Sequence, residues 1–275
     1  MMSNKYLIIA AGLLSAATAS FAFRYEYAGG WGRPNPPELV NSLSDMAFGP
    51  DGNLYLLHEG GDRETYVQVF TLAGKRVRIF GGDGSGLDVW DSDGSLAVGP
   101  DGSVCVVGFI ADGVAKFLPG REFPQVWKWF EPYYHNFKDV AAGPDGEVYA
   151  LLGHRTLERF TAKGERLARW ELHQVPEEEG RPVGYIQGID VGPAGRVYVA
   201  DDAARHLLYY TPDGAWAGEI TWEEGVMGPA ADVAVARDGT EYVTDGDNLA
   251  VIGEDGSVVA AWPVIERRDE GGAMD

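Results

Sequence analysis

The chain has a single cysteine, Cys105, so no disulfide can form within it. It is also short of basic residues: Lys and Arg number 22 against 42 Asp and Glu, for a formal net charge of −20. That balance excludes the basic patches that hold nucleic acid or anionic membrane surfaces, and it suits cations or basic partners. Long apolar runs are missing after the first 22 residues. The one that exists, "YLIIAAGLLSAATA", follows Lys5 and ends in small residues. It reads as a secretory signal peptide over 1–22, cut near Ala19 or Ala22, rather than as a spanning helix, which needs about 20 apolar residues. The expected destination is therefore outside the cytoplasm, periplasmic or extracellular, with no membrane insertion after cleavage. No Gly-x-Ser-x-Gly elbow, phosphate-cradling loop or His-Glu-x-x-His pair occurs, so the usual carriers of hydrolase and nucleotide chemistry are lacking.

What the chain has in abundance is one phrase. "DMAFGPDGNLYLL", "SLAVGPDGSVCVV", "DVAAGPDGEVYAL" and "GIDVGPAGRVYVA" are followed by a worn copy, "DVAVARDGTEYVT". The turns begin at Gly49, Gly99, Gly143, Gly192 and Ala236. A period in the forties belongs to four-stranded propeller blades and to some helical repeats. The units hold short β-branched and aromatic runs between Gly-containing turns, with no helical apolar spacing, so the helical option fails. Each unit supplies four runs, two tight turns and two longer connections. Both tight turns fall on one face of a disc, and the longer two–three and four–one connections fall on the other.

The columns of the repeat predict radial packing. Strand one carries Met46, Leu96, Val140, Ile189 and Val233 on one side. Its other side holds Ala47, Ala97, Ala141 and Ala234, with Asp190 as the exception. Small residues suit an innermost strand, where blades converge and little volume is left. Strand two carries Tyr55, Cys105, Tyr149, Tyr198 and Tyr242, so Cys105 replaces a core aromatic and reads as a buried filler. Trp129, Trp170 and Trp262 read as an inter-blade packing column near the end of strand four, not as a sugar platform.

These residues resemble the NHL repeat: its Pro-Asp-Gly turn, a "YVAD"-type second strand, a third strand ending in "VF", and a Gly-rich link like "FGGDGSG". The resemblance runs from about Phe23 to Val264 and implies an all-β propeller of four-stranded antiparallel blades. The family's Arg before strand three is absent, its column being filled by Tyr66, Gly113, Thr156, His206 and Asn248. The count gives five complete units plus an orphan N-terminal strand, "FRYEYAGGWG". The expectation is five blades with an extra edge strand, the alternative six blades with one incomplete. Residues 23–264 form the propeller domain and 265–275 an acidic tail. The orphan strand also offers an edge for self-association.

Two functional readings follow. All five histidines fall on the longer-connection face, where Asp45, Asp139, Asp190, Asp201, Asp232 and Asp245 also crowd. Tyr133, Tyr134 and Phe137 break the repeat there and are candidate ligand contacts. The favoured reading is a non-catalytic scaffold binding a protein, peptide or glycan, with no cofactor. The alternative is a metal-dependent lyase or lactone hydrolase, activities that similar propellers carry, with His58, His154 and His206 holding zinc at the channel mouth. Calcium would suit a site dominated by carboxylates. For Asp190 the sequence leaves capping of backbone N–H groups, channel water or ligand binding open.

Overall fold

The structure, a computed structural model, describes residues 42–59, 65–82, 94–108, 113–122, 124–128, 137–153, 155–172, 185–202, 205–253 and 256–263. The expected signal peptide, orphan strand and acidic tail lie outside these.

Twenty strands form five antiparallel four-stranded sheets, each in simple meander order, arranged as a β-propeller. Blade 1 comprises β1 (Ser42–Phe48), β2 (Leu54–Glu59), β3 (Thr65–Phe70) and β4 (Arg76–Gly81). Blade 2 comprises β5 (Ser95–Val98), β6 (Val104–Val107), β7 (Gly113–Phe117) and β8 (Gln125–Lys128). Blade 3 runs through β9 (Phe137–Ala142), β10 (Val148–Leu152), β11 (Thr156–Phe160) and β12 (Arg166–Glu171). Blade 4 holds β13 (Ile186–Val191), β14 (Val197–Asp201), β15 (His206–Tyr210) and β16 (Trp216–Thr221). Blade 5 holds β17 (Asp232–Val235), β18 (Glu241–Thr244), β19 (Asn248–Ile252) and β20 (Val258–Pro263).

The repeated turn explains the first hairpin of every blade. Gly49 N–H bonds the Asn53 carbonyl and Gly52 N–H bonds the Gly49 carbonyl, a pattern repeated at Gly99, Gly143, Gly192 and Ala236. Gly52, Gly102, Gly146, Gly195 and Gly239 close these turns at φ between +76° and +88°, a region open to glycine at no steric cost. Asp51, Asp101 and Asp238 add a side-chain bond to the backbone N–H two residues on.

Apolar cores lie between blades. The strand-two column faces the next blade: Tyr55, Leu57 and Val67 of blade 1 pack on Leu96, Val104 and Val106 of blade 2. Equivalent cores join blades 2 and 3, 3 and 4, and 4 and 5. The strand-four column packs against the turn of the following blade. A Cβ on Gly164 would meet the Trp127 ring at 2.5 Å, and one on Gly214 the Trp170 ring at 2.6 Å. Trp127 belongs to that column, since β8 pairs Trp127 with Val114 as β12 pairs Trp170 with Leu157; Trp129 lies outside the described residues.

Basic side chains tie the outer halves of the blades. Lys116, fully buried, donates from Nζ to the Ala162 carbonyl of blade 3 at 3.0 Å. Arg159 donates to the Pro212 carbonyl of blade 4 at 2.8 Å while pairing with Glu147 in its own blade at 2.8 Å. Arg78 reaches the Arg121 carbonyl of blade 2. Between blades 4 and 5 the clasp is Tyr209, whose hydroxyl donates to Glu241 at 3.0 Å. Arg237 Nη2 donates to the Gly49 carbonyl at 3.3 Å, joining blade 5 to blade 1.

Candidate functional site: the carboxylate collar and the histidine-bearing face

Four positions before each turn the innermost strands place Asp45, Ser95, Asp139 and Asp232, polar in four blades, with Gly188 in blade 4. Each carboxylate accepts the N–H of its own following residue: Met46 to Asp45 at 2.7 Å, Val140 to Asp139 at 2.9 Å, Val233 to Asp232 at 2.8 Å. In Asp45 and Asp139 the second oxygen reaches across to the next blade. Asp45 Oδ2 accepts the Leu96 N–H at 2.8 Å, and Asp139 Oδ2 accepts the Ile189 N–H at 2.7 Å. In blade 2, Ser95 takes the carboxylate's place, its hydroxyl lying 2.8 Å from Asp45 Oδ2 and also against Asp139 Oδ1. A hydroxyl has one proton to donate, so the two carboxylates share it.

Blade 4 shifts the pattern. A Cβ on Gly188 would collide with the Asp232 carboxylate, so this position is glycine. The link to blade 5 moves two residues along the strand to Asp190, whose Oδ1 accepts the Val191 N–H and Oδ2 the Val235 N–H, both at 2.7 Å. Asp190 thus caps backbone donors on two blades. Burial pushes its carboxyl up to about 7, against the pull of those two N–H groups, and the charges of Asp139 and Asp45 push it further the same way. The three carboxylates therefore share one neighbourhood on the innermost strands.

The other singled-out residues sit where β2-type strands meet β3-type strands. In blade 1, His58 Nε2 lies 2.8 Å from Gln68 Nε2, and its ring stacks on Tyr66 at 5.7 Å. In blade 4, His206 is held between two carboxylates, Asp201 at 3.1 Å from Nε2 and Glu219 at 3.2 Å from Nδ1. In blade 5, Asp245 accepts the Asn248 N–H at 2.6 Å and its side-chain amide at 2.9 Å. Burial raises the Asp245 carboxyl, but the bonds from Asn248 and from Gly228 N–H outweigh it and hold the group below its ordinary value. His58 and His206 are buried in blades 1 and 4, each engaged within its own blade. Among the described residues no group of three or more His, Cys, Asp or Glu is placed to hold a metal ion. His154, Tyr133 and Tyr134 lie outside the described residues. Phe137 is fully buried in the core between blades 2 and 3, so it packs the frame and is not exposed to a ligand.

No protein-family model matches the chain, and no curated protein matches it. Solved structures do. The virginiamycin B lyase of Staphylococcus aureus is similar over 84% of this chain and 72% of its own, with TM-score 0.58 and 13% identity. A catalytically inactive variant of that lyase with quinupristin has TM-score 0.57 and 11% identity over the same shares. A protein of unknown function from Bacteroides caccae has TM-score 0.51 and 15% identity over 78% of this chain and 73% of its own. At these identities the likeness establishes the propeller fold and no residue role.

The sequence pattern did not reveal Ser95, Gln68 or Glu219 as partners. Ser95 was within reach, since it occupies the column of Asp45 and Asp139. Glu219 faces His206 only through the pairing of β15 with β16. Cys105 is buried with its thiol pushed up to about 12 by burial, which leaves it unionised and unreactive in the folded chain.

Proposed function

We propose that this chain is an exported NHL-type β-propeller acting as a non-catalytic scaffold for a protein, peptide or glycan partner, bound on the face of the longer connections. One observation carries the reading: the chemistry-bearing side chains described on that face are used by the frame. Asp45, Asp139 and Asp190 serve backbone donors of two blades each, while His58 and His206 face partners in their own blades. A carboxylate whose oxygens already accept two or three hydrogen bonds is a poor general base and a poor metal ligand. Among the described residues the same face exposes Tyr185, Glu223, Val226 and Asp247, with Arg155 and with Arg205 paired to Glu224 at 3.7 Å, a mixed polar and apolar surface suited to a peptide or glycan.

The test is an array of peptides and glycans probed with the chain beginning at Phe23. Saturable binding that is lost in Glu223→Lys, Glu224→Lys, Asp247→Lys and retained when Asp145 and Asp238 on the opposite face are changed to Lys supports the scaffold. Chemical conversion of the bound compound would overturn the non-catalytic reading.

A second reading, a metal-dependent lyase or lactone hydrolase using His58, His154 and His206 with zinc or calcium, draws support from the fold shared with virginiamycin B lyase. It requires a stoichiometric metal. Export itself is tested by the N-terminal sequence of the secreted protein, expected to begin at Ser20 or Phe23.

A further inference from the structure

The outer hairpin of blade 1 carries charge opposite to that of the chain as a whole. From Thr65 to Gly82, through β3, its turn and β4, the sequence "TYVQVFTLAGKRVRIFGG" holds Lys75, Arg76 and Arg78 and neither Asp nor Glu, in a chain with 42 acidic residues. Among the described residues none of these three cations pairs with a carboxylate. Arg78 donates to the Arg121 carbonyl and stands over the Phe80 ring at 4.6 Å. On the outer strand of blade 3, by contrast, Arg166 and Arg169 lie 3.6 and 3.5 Å from Glu158. The edge itself is open, because β4 ends the order β1-β2-β3-β4 and pairs with β3 alone. Its side chains alternate: Val77 and Ile79 are 49% and 45% exposed on one side, while Arg76 and Arg78 are half-buried on the other. Leu72, in the turn before β4, is 57% exposed.

We propose that this edge takes up an extended acidic segment of a partner protein, added to blade 1 as a fifth strand. The surface lies on the rim of the propeller, apart from the longer-connection face. An open edge offers N–H and C=O groups at every second residue, which another extended backbone matches in full. Neighbouring strands set their side chains on shared sides, so Val77 and Ile79 meet apolar residues while Arg76 and Arg78 meet the residues between them. Three unpaired cations with no carboxylate in their own hairpin make those intervening residues acidic. The matching segment therefore alternates apolar and acidic side chains. A second β4 is the wrong occupant, since it would bring the same cations against these, and two chains of net charge −20 repel each other besides. A polyanion without apolar side chains would use the cations and leave Leu72, Val77 and Ile79 in water. Charge on an outer strand also guards it against indiscriminate pairing. Here the charge has one sign, so it turns basic strands away and admits acidic ones.

The experiment measures fluorescence anisotropy of a labelled octapeptide of alternating valine and glutamate, titrated with the chain from Phe23. Saturable binding is expected, weaker by about tenfold or more in the Lys75→Glu, Arg76→Glu double variant and unchanged in Lys163→Glu on the outer turn of blade 3. Peptides of alternating valine and lysine, or of glutamate alone, should bind at least about tenfold more weakly than the acidic alternating one. Methylating every second amide of the peptide, in both possible registers, should abolish binding in at least one register, because strand addition uses one edge of the peptide backbone. No saturable binding overturns the proposal. Equal binding of polyglutamate overturns it too, by leaving charge alone as the cause, and so does binding that survives both methylated registers. Sedimentation of the chain alone covers the remaining occupant: a dimer that dissociates in the double variant would put a second copy on this edge and overturn the proposal. The peptide series is read on the unaltered chain, so it decides even where the double variant fails to fold.

Discussion

The Asp139 carboxylate accepts the Ile189 N–H at 2.7 Å, tying the innermost strand of blade 3 to that of blade 4 across 50 residues of sequence. Its other oxygen takes the Val140 N–H and contacts Ser95 of blade 2, so one side chain touches three blades. The Asp139→Ala variant takes the carboxylate from the Ile189 and Val140 N–H groups and leaves the Ser95 hydroxyl with Asp45 alone. It is expected to lose about 3 kcal/mol of unfolding free energy in urea titrations. A loss below about 1 kcal/mol would mean that water serves these donors equally well.

Asp190 gives the pH dependence. Burial disfavours the charge and pushes its folded carboxyl up to about 7 from an ordinary value of 3.8. Between those values the folded chain holds a proton that the unfolded chain has released. The Asp190 contribution is thus most favourable below pH 4, falls as pH rises toward 7, and levels off above it. Urea titrations of the native chain and of Asp190→Asn at pH 4.5 and pH 8 should show the native chain losing ground to the variant at the higher pH. A difference that stays constant with pH contradicts the assignment.

Glycine at the tight turns is tested by position. Gly164 sits at φ +88° with the Trp127 ring 2.5 Å from where its Cβ would stand, whereas Gly239 has the same φ and open space. The Gly239→Ala variant should cost about 1 kcal/mol from backbone strain alone. The Gly164→Ala variant should cost about 1–3 kcal/mol more, because the ring must move. Equal losses in thermal melts would remove Trp127 from the inter-blade column.

Cys105 should resist thiol reagents in the folded chain. Its thiol is buried and pushed up to about 12, so almost no thiolate exists at neutral pH. Modification followed by absorbance should proceed at the rate of unfolding. Labelling that is fast, and faster at higher reagent concentration, would show an accessible thiol.

The blades were readable because their determinants are local. The turn glycines, the alternating strands and the alanine column lie within one unit of sequence, and five copies reinforce one another. The collar was only half readable: Asp45, Asp139 and Asp190 stood out by column, but the N–H groups they accept lie 45–51 residues away on the next blade. Trp127 was missed although it lies ten residues after Phe117, as Trp170 lies ten after Phe160. Phe137 looked like a loop residue because the repeat phrase begins after it, yet β9 starts there and buries it. The pairing of Glu219 with His206 depends on a strand register that sequence spacing does not encode.

The metal content of the chain from Phe23, purified without an affinity histidine tag and measured by elemental mass spectrometry, tests the central claim most directly. A scaffold whose described histidines and carboxylates are engaged by its own frame should carry well under one equivalent of any transition metal or calcium, before and after incubation with zinc or calcium and dialysis. About one equivalent, retained through dialysis and lost when His58, His154 and His206 are together changed to Ala in a chain that still folds, would contradict it and make this propeller a metalloenzyme.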